Sequence, residues 1–382
     1  MTRTIAVVGL GQMGRSALGI LLDQLPDARF VALDRSEEAV KHAESLAPER
    51  VTGRLADVSR GGVDLTGVDA VVNLTGPFFA GSDAVARAAL AAGAAYVDIC
   101  DDVEGTEAIL ALDAEAKKAD VPLITGAGLS PGVSNWMASR LLDAHPAADG
   151  VQVVWLVHES DPGGLAPLRH MLHMAVSTCP VWRDGKWEQS PGFVPSTAAS
   201  YGFPDPHGVI EAYDTAHPEP LTLSRHYPRL TYASCKGTLR PDWANAAFST
   251  LGRIGFGYTD VRVDVDGTQV EPAEFLWKLM WARYNRKPAK RPSASSAVLV
   301  QALAGQEVLD SLVITDDAPM SRTTGLGAAV AAVVLMGHGA RAGAWGPEEL
   351  RWDVALPLYE EILVSLAGEG ARITRVQPSS VA

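Results

Sequence analysis

The chain has 382 residues, of which 47% are hydrophobic and 20% are charged. This is the balance of a globular protein, and the length is sufficient for two domains with buried cores. The formal net charge is −13, and the Lys and Arg residues are scattered along the chain. A nucleic-acid partner requires a basic stripe, so we expect no nucleic acid to bind.

The cysteines and the apolar segments bear on the compartment. Cys100, Cys179 and Cys235 are far apart and odd in number, which argues against a disulfide framework and against a metal site built on paired cysteines. No signal peptide precedes the first apolar strand, and the most apolar later segment, Ala328–Met336, is about half the length that spans a bilayer. We expect a cytoplasmic protein that binds neither a metal nor a membrane.

The first third of the chain alternates between short apolar runs and amphipathic segments. The apolar runs predict strands at Thr4–Val8, Phe30–Leu33, Val51–Leu55, Ala70–Leu74, Tyr96–Ile99 and Pro122–Thr125. The amphipathic segments predict helices at Met13–Gln24, Glu37–Ala47, Asp83–Ala92 and Thr106–Ala119. Strict alternation of strand and helix predicts an α/β fold, with the doubly wound parallel sheet of a Rossmann domain.

A glycine-rich turn follows the first predicted strand and opens the first predicted helix. Gly9 allows the tight turn, Gly11 lets the backbone approach a pyrophosphate, and Gly14 lets the helix pack closely on the strand. Gln12 and Met13 begin the helix, whose N-terminal N–H groups favour an anion. The position and spacing of these residues predict a dinucleotide site.

Asp34 ends the second predicted strand, 20 positions after Gly14, where it can accept hydrogen bonds from an adenosine ribose. A carboxylate there repels a 2′-phosphate and favours NAD, while Arg35 could hold that phosphate, so NADP remains possible. Asp57 is either an adenine contact or a solvated turn residue. Further candidates at the carboxyl ends of later strands are Thr75, Gly76, Pro77 and Asp98.

The pattern changes after the glycine-rich turn at residues 126–132, which leads into a helix at Val133–Leu142. Strands are predicted at Val151–Val157, Leu230–Ala233, Thr259–Val265 and Glu307–Ile314, with loops from Asp161 to Pro220. Helices are predicted at Ala273–Tyr284, Gly325–Met336 and Pro347–Leu366. This pattern indicates a second, α+β domain on a mostly antiparallel sheet. We assign residues 1–130 to the dinucleotide domain, 131–320 to a substrate and dimerisation domain, and 321–382 to C-terminal helices that pack back toward the first.

Several motifs, in order, resemble the saccharopine dehydrogenase-like family, and within it NAD-dependent lysine 6-dehydrogenase. They are the glycine turn, Val71–Asn73, Ala92–Asp98, Gly128–Asn135, Glu211–Thr215, Leu223–Pro228 and Cys235–Arg240. The resemblance implies a homodimeric NAD(P)-dependent dehydrogenase that acts on a C–N bond of an amino acid or amine. It also implies substrate contacts from Thr215 and Arg225, which lie in these motifs.

The sequence departs from the family at informative positions. Ser130 stands where saccharopine reductases carry an aspartate, and Ala94 and Ala95 stand where they carry a lysine, which argues against saccharopine chemistry. His158 and Glu159 replace a glycine pair of lysine dehydrogenase, which leaves the substrate open. Two alternatives remain: reductive condensation of an amine with a keto acid or aldehyde, and a non-catalytic NAD-binding protein of the same fold.

The expected chemistry requires two kinds of side chain in the second domain. An arginine fork is the natural partner of a substrate carboxylate, and the candidates are Arg225, Arg169 and Arg240. Imine formation requires a proton acceptor near neutral pH, usually a histidine. Histidines are frequent in this region, at His170, His173, His207, His217 and His226. We expect His170 and His173 to be catalytic, since the resemblance places their segment over the nicotinamide.

Overall fold

The structure is a computed structural model that describes residues 2–58, 63–81, 83–159, 161, 165–286 and 296–376. The chain divides into two compact units. The first unit contains Met1–Ala144, Arg225–Pro228 and Ser321–Glu369, and the second contains His145–Ser224, Arg229–Met320 and Gly370–Ala382. The first boundary therefore falls after Ala144, at the end of the helix that follows the glycine-rich turn at residues 126–132. From the sequence, we predicted this boundary at residue 130.

Eighteen strands occur in the described residues, numbered along the chain. They are β1 Thr4–Val8, β2 Arg29–Asp34, β3 Val51–Leu55, β4 Ala70–Asn73, β5 Ala95–Asp98, β6 Pro122–Ile124, β7 Gly150–His158, β8 Thr178–Arg183, β9 Lys186–Pro191, β10 Ala199–Gly202, β11 Val209–Asp214, β12 Tyr232–Arg240, β13 Val263–Val265, β14 Thr268–Val270, β15 Ser296–Ala304, β16 Glu307–Asp316, β17 Gly343–Trp345 and β18 Ala371–Val376.

Twelve α-helices occur in the same residues. They are α1 Gln12–Gln24, α2 Glu37–Leu46, α3 Asp83–Ala92, α4 Val103–Leu110, α5 Asp113–Ala119, α6 Val133–Ala144, α7 Leu165–Met174, α8 Glu219–His226, α9 Trp243–Leu251, α10 Pro272–Asn285, α11 Met320–His338 and α12 Trp352–Ala367.

The first unit is built on a seven-stranded sheet in the order β17-β6-β5-β4-β1-β2-β3, with every pairing parallel. This confirms the predicted Rossmann sheet, because strands buried on both faces give the apolar runs seen in the sequence. The predicted single helix Thr106–Ala119 is wrong, because α4 ends at Leu110 and α5 begins at Asp113. Leu112, which lies between the two helices along the chain, has a buried side chain.

Helix α11 is long and apolar enough to cross a membrane by length and composition, with a mean hydropathy of 1.3 over its best window. This is weak evidence, because a buried core helix meets the same test, and 61% of that window is buried inside the protein. Helix α11 extends beyond the predicted helix Gly325–Met336 at both ends. Inside the first unit, α11 approaches the backbone closely: a Cβ at Gly327 would lie 2.3 Å from the carbonyl oxygen of Gly128.

The second unit is built on a nine-stranded sheet in the order β10-β11-β12-β7-β15-β16-β18, to which β8 and β9 are added beside β12. All pairings are antiparallel except that of β12 with β7. The prediction of a mostly antiparallel sheet is therefore confirmed, with one parallel pair at its centre. Apolar residues from β7, β10, β11 and β15 form a core on this sheet.

Several sequence-based assignments in the second unit are wrong. The predicted loop from Asp161 to Pro220 contains α7 and the four strands β8 to β11, and the unpredicted strand β15 lies at the centre of the sheet. The β8–β9 hairpin was not predicted because Pro180 lies in β8 and Pro191 lies in β9, and proline is unusual within a strand. Its turn at Asp184 and Gly185 has positive φ at both residues, the Asp-Gly signal of a two-residue hairpin. Only β13 forms within the predicted strand Thr259–Val265.

Candidate functional site

The turn between β1 and α1 leaves no room for side chains at two of its glycines. Gly9 has φ of +91°, and a Cβ there would lie 2.8 Å from the carbonyl oxygen of Leu74 at the end of β4. A Cβ at Gly14 would lie 1.8 Å from the carbonyl oxygen of Gly9. The turn is therefore folded tightly against the sheet, as the sequence predicts for a dinucleotide site.

Gly11 differs from both, because a Cβ built there would meet nothing within 4 Å. Gly11 is the N-cap of α1, and no side chain in the described part of the chain caps this helix end. Gly11 and Gln12 are exposed, and Met13 is half-buried. The helix N-terminus therefore offers backbone N–H groups and the positive end of its dipole to an open space. This arrangement fits the pyrophosphate of a dinucleotide.

Asp34 lies beside this turn at the carboxyl end of β2. Its Oδ2 accepts a hydrogen bond from the backbone N–H of Leu10 at 2.6 Å, and its Oδ1 accepts one from that of Ser36 at 2.8 Å. The side chain is half-buried, so the carboxylate is held in place next to the glycine turn, where the ribose hydroxyls of a dinucleotide would lie. Arg35 follows it and is exposed.

Polar side chains connect the carboxyl ends of the next strands. Thr75 donates to Oδ1 of Asn73 from both its backbone N–H, at 3.1 Å, and its hydroxyl, at 2.5 Å. Asn73 Nδ2 donates to the Tyr96 hydroxyl, which in turn donates to Oδ2 of Asp98, each at 2.9 Å. Gly76, Pro77 and Asp57, the other predicted contacts at these strand ends, are half-buried. From the sequence, Asn73 and Tyr96 were named only as parts of family motifs, and neither was predicted to have a role at this site.

Asp98 has no exposed surface, so its predicted contact with the dinucleotide is corrected. Its Oδ1 accepts hydrogen bonds from the backbone N–H groups of Cys100 and Gly126 and from the hydroxyl of Thr125, at 2.7–2.9 Å. Burial raises the pKa of Asp98 to about 6, although these hydrogen bonds act in the opposite direction. The carboxylate therefore holds the ends of β5 and β6 together.

Residues 5–124 match the family described as the saccharopine dehydrogenase NADP binding domain. The fold of the chain resembles apo histidine-tagged saccharopine dehydrogenase (L-Glu forming) from Saccharomyces cerevisiae, with a TM-score of 0.61 over 98% of this chain and 100% of that one, at 15% identity. This chain has a saccharopine dehydrogenase-like fold. The domain match and the all-parallel strand order together place a Rossmann domain at the start of the chain.

Two other solved structures match this chain with TM-scores below 0.5. An amine dehydrogenase from Mycobacterium smegmatis is 13% identical with a TM-score of 0.46, and the match covers 92% of this chain and 96% of that one. GenD2 from gentamicin A biosynthesis, in complex with NAD, is 16% identical with a TM-score of 0.40, covering 98% and 97%. No curated protein sequence matches significantly.

The two predicted catalytic histidines lie on α7 in the second unit. His170 is buried, and its Nε2 lies 3.3 Å from Nε2 of His217, while His173 is half-buried at the end of the helix. Arg169, on the same helix, places its guanidinium 4.3 Å from the centre of the Trp277 ring. A planar guanidinium that lies over an indole is held in orientation.

Arg240 ends β12 directly opposite His158, the last residue of β7. It pairs with Asp242 while about a third of its side chain stays exposed. Burial lowers the pKa of His158, the charge of Glu159 opposes this shift, and the charge of Arg240 adds to it. The carboxyl ends of this parallel strand pair thus place a guanidinium and an imidazole side chain at neighbouring positions. Thr215 is buried and accepts a hydrogen bond from Nε1 of Trp155 at 3.2 Å.

Arg225, the predicted main carboxylate ligand, lies near the end of α8. It belongs to the first unit, where its Nη2 lies 3.4 Å from Oδ2 of Asp113 and its guanidinium lies 5.2 Å from the Trp345 ring centre. Asp113 also accepts a hydrogen bond from the backbone of Ala344 in the edge strand β17. Arg225 therefore contacts the edge of the first-unit sheet, and its role as a carboxylate ligand stays a prediction.

Proposed function

We propose that the chain is an NAD-dependent dehydrogenase that oxidises a C–N bond of an amino acid or amine, with oxidative deamination of a terminal amine as the leading form. The observation that carries this proposal is the combination of the open Gly11 turn with the fixed Asp34 carboxylate, within a segment that matches the saccharopine dehydrogenase NADP binding domain. The C–N bond is inferred from this family and from the motifs shared with lysine 6-dehydrogenase.

The dinucleotide would supply the hydride acceptor, C4 of its nicotinamide ring. The backbone N–H groups at the start of α1 would hold its pyrophosphate, and Asp34 would hold the adenosine ribose. We favour NAD because the Asp34 carboxylate would repel a 2′-phosphate. The family description names NADP, and the exposed Arg35 next to Asp34 is the residue that could accept its phosphate.

The second unit would supply the substrate groups. We propose Arg240 as the partner of a substrate carboxylate, because it lies at a strand end opposite His158 and about a third of its side chain is exposed. Arg225 and Arg169 stay candidates from the sequence. We propose that His170 or His173 accepts the proton that leaves the amine nitrogen, since a neutral imidazole suits this step near neutral pH. Thr215 is retained as a substrate contact on the family resemblance alone.

A second candidate function is the reverse chemistry, in which an amine and a keto acid or aldehyde condense and are reduced. The similarity of the fold to a saccharopine dehydrogenase favours it. Ser130, Ala94 and Ala95 oppose it, since they replace the aspartate and lysine of saccharopine reductases.

A turnover screen tests both candidates. Purified protein is mixed with NAD or NADP and a panel of amino acids and simple amines, and reduced nicotinamide is followed by its absorbance. The same protein is mixed with NADH or NADPH and pairs of amine and keto acid. We expect reduction of NAD by at least one amine. Oxidation of the reduced cofactor only by amine and keto-acid pairs would establish the second candidate, and dinucleotide binding without turnover in either direction would indicate a non-catalytic protein.

A further inference from the structure

Three side chains of the types that bind metal ions meet inside the second unit. His217, Glu219 and Cys235 are 6%, 0% and 2% exposed, and one ligand atom from each lies within 4.8 Å of the other two. The strand pairing brings them together. Because Asp214 lies opposite Lys236 in the antiparallel pair β11–β12, the chain that continues past Asp214 runs beside Cys235. The backbone N–H of residue 215 donates to the Cys235 carbonyl at 3.1 Å.

The spacing between two of these groups suits a shared ion. Nδ1 of His217 lies 3.4 Å from Oε2 of Glu219. Two donor atoms that are each about 2.1 Å from a tetrahedral zinc ion lie about 3.4 Å apart. Within the part of the chain that the structure describes, this Nδ1 makes no hydrogen bond. The other ring nitrogen of His217 is shared with His170, so Nδ1 is the nitrogen that faces the cluster.

We propose that His217, Glu219 and Cys235 bind one divalent ion of the zinc class. Thiolate, imidazole and carboxylate together are the ligand types of Zn²⁺, whereas Mg²⁺ and Ca²⁺ require shells of oxygen atoms. Three protein ligands leave the fourth position of a tetrahedral shell for a further donor such as water. Binding forms a metal–sulfur bond and releases the thiol proton of Cys235 to solvent.

The surroundings hold the imidazole in place. The ring of Trp155 lies 5.6 Å from that of His217, centre to centre, and its Nε1 donates to the hydroxyl of Thr215. Gly237 on the neighbouring strand makes room for this indole, since a Cβ there would lie 2.1 Å from it. His170 holds the second ring nitrogen. A partner on the second nitrogen is the usual outer support of a metal-bound histidine.

Cobalt is the probe for this site, because Co²⁺ takes zinc positions and reports a thiolate ligand by a charge-transfer band. The full-length protein is treated with a chelator, dialysed and titrated with CoCl₂, and its zinc content as purified is measured by mass spectrometry. We expect one Co²⁺ per chain, tetrahedral bands in the visible spectrum and a thiolate charge-transfer band in the near ultraviolet. The readout is independent of turnover, so it stands or fails separately from the proposed dehydrogenase activity.

Matched variants identify the ligands. Cys235→Ser should remove the charge-transfer band, and Glu219→Gln should keep the band but weaken Co²⁺ binding about tenfold or more, since even outer-shell losses cost roughly 10–100-fold. Cys179→Ser is the control, because Cys179 is equally buried in the same unit but outside the cluster, and it should keep the full spectrum. Circular dichroism checks that each variant folds. The proposal is overturned if the wild-type protein binds no stoichiometric Co²⁺, or if the thiolate band survives in Cys235→Ser.

Discussion

Asp34 combines two tasks at the residue scale. It accepts hydrogen bonds from the backbone N–H of Leu10 in the cofactor turn and from that of Ser36 after β2, and its carboxylate would lie beside the ribose. Asp34→Ala should weaken NAD binding roughly ten- to a hundredfold, the value of a hydrogen bond to a charged group, and should shift the preference toward NADP.

The ratio of the two dissociation constants, measured by titration, is the informative quantity for Asp34→Ala. Loosening of the turn would weaken NAD and NADP alike and leave this ratio unchanged. Loss of the ribose hydrogen-bond acceptor and of the repulsion between the carboxylate and a 2′-phosphate changes the ratio. An unchanged ratio would show that Asp34 only supports the turn.

The buried Asp98 carboxyl predicts a pH dependence of stability. Its folded pKa of about 6 lies above the ordinary 3.8, so between about pH 4 and pH 6 the folded protein holds a proton that the unfolded chain has released. The contribution of this group to the free energy of unfolding is fully present below about pH 4. As the pH rises to about 6, this contribution falls by about 3 kcal/mol.

Asp98→Asn removes this titration while keeping an acceptor for Cys100, Thr125 and Gly126. Urea unfolding at pH 4.5 and pH 6.5 should show that the variant gains stability relative to the wild type as the pH rises. Parallel profiles for the two proteins would mean that Asp98 stays ionised throughout.

Residue-scale reasoning from the sequence succeeded where a pattern is local. The turn at Gly9 to Gly14 and the acidic residue at position 34 are read directly along the chain. Asp98 could not be placed, because its burial depends on β6, which follows it by more than 20 residues. The His217, Glu219 and Cys235 cluster has no helical spacing and is created only by the β11–β12 pairing.

At the scale of elements, the close packing of α11 on the glycine-rich turn at residues 126–132 can be tested. A Cβ at Gly327 would lie 2.3 Å from the backbone oxygen of Gly128, so Gly327→Ala should destabilise the protein by about 1–3 kcal/mol. Gly337→Ala, in the same helix and with nothing within 4 Å, is the control and should be neutral or stabilising by up to ~1 kcal/mol. Thermal unfolding compares them, and a Gly327→Ala protein as stable as its control would contradict this packing.

Element prediction was accurate in the first unit and poor in the second for a physical reason. Strands buried on both faces of a parallel sheet, such as β1 and β4, are continuous apolar runs that are visible in the sequence. The hairpin β8–β9 exposes much of its surface and contains prolines, so it lacks both the apolar run and the alternation of an ordinary strand.

At the scale of the whole molecule, the homodimer expected from the sequence remains a prediction. Phe275 and Leu279 lie one turn apart on α10 and are 57% and 54% exposed. Adjacent exposed apolar side chains of this size are typical of a surface that another protein covers. Light scattering at micromolar concentration should give twice the 40.3 kDa chain mass, and Leu279→Asp should lower it. A 40.3 kDa particle for the wild type would refute the dimer.

The central claim is that the first unit binds a nicotinamide dinucleotide through the open turn at Gly11. Calorimetric titration of the full-length protein with NAD and with NADP tests it most directly, alongside Gly11→Val and the control Gly19→Val. Both glycines have nothing within 4 Å of a built Cβ, so both variants should fold, but only the side chain at residue 11 fills the space for the pyrophosphate. We expect one dinucleotide per chain for the wild type and for Gly19→Val, and no binding for Gly11→Val. Wild-type protein that binds neither dinucleotide, or a Gly11→Val variant that binds as tightly as the wild type, would contradict it.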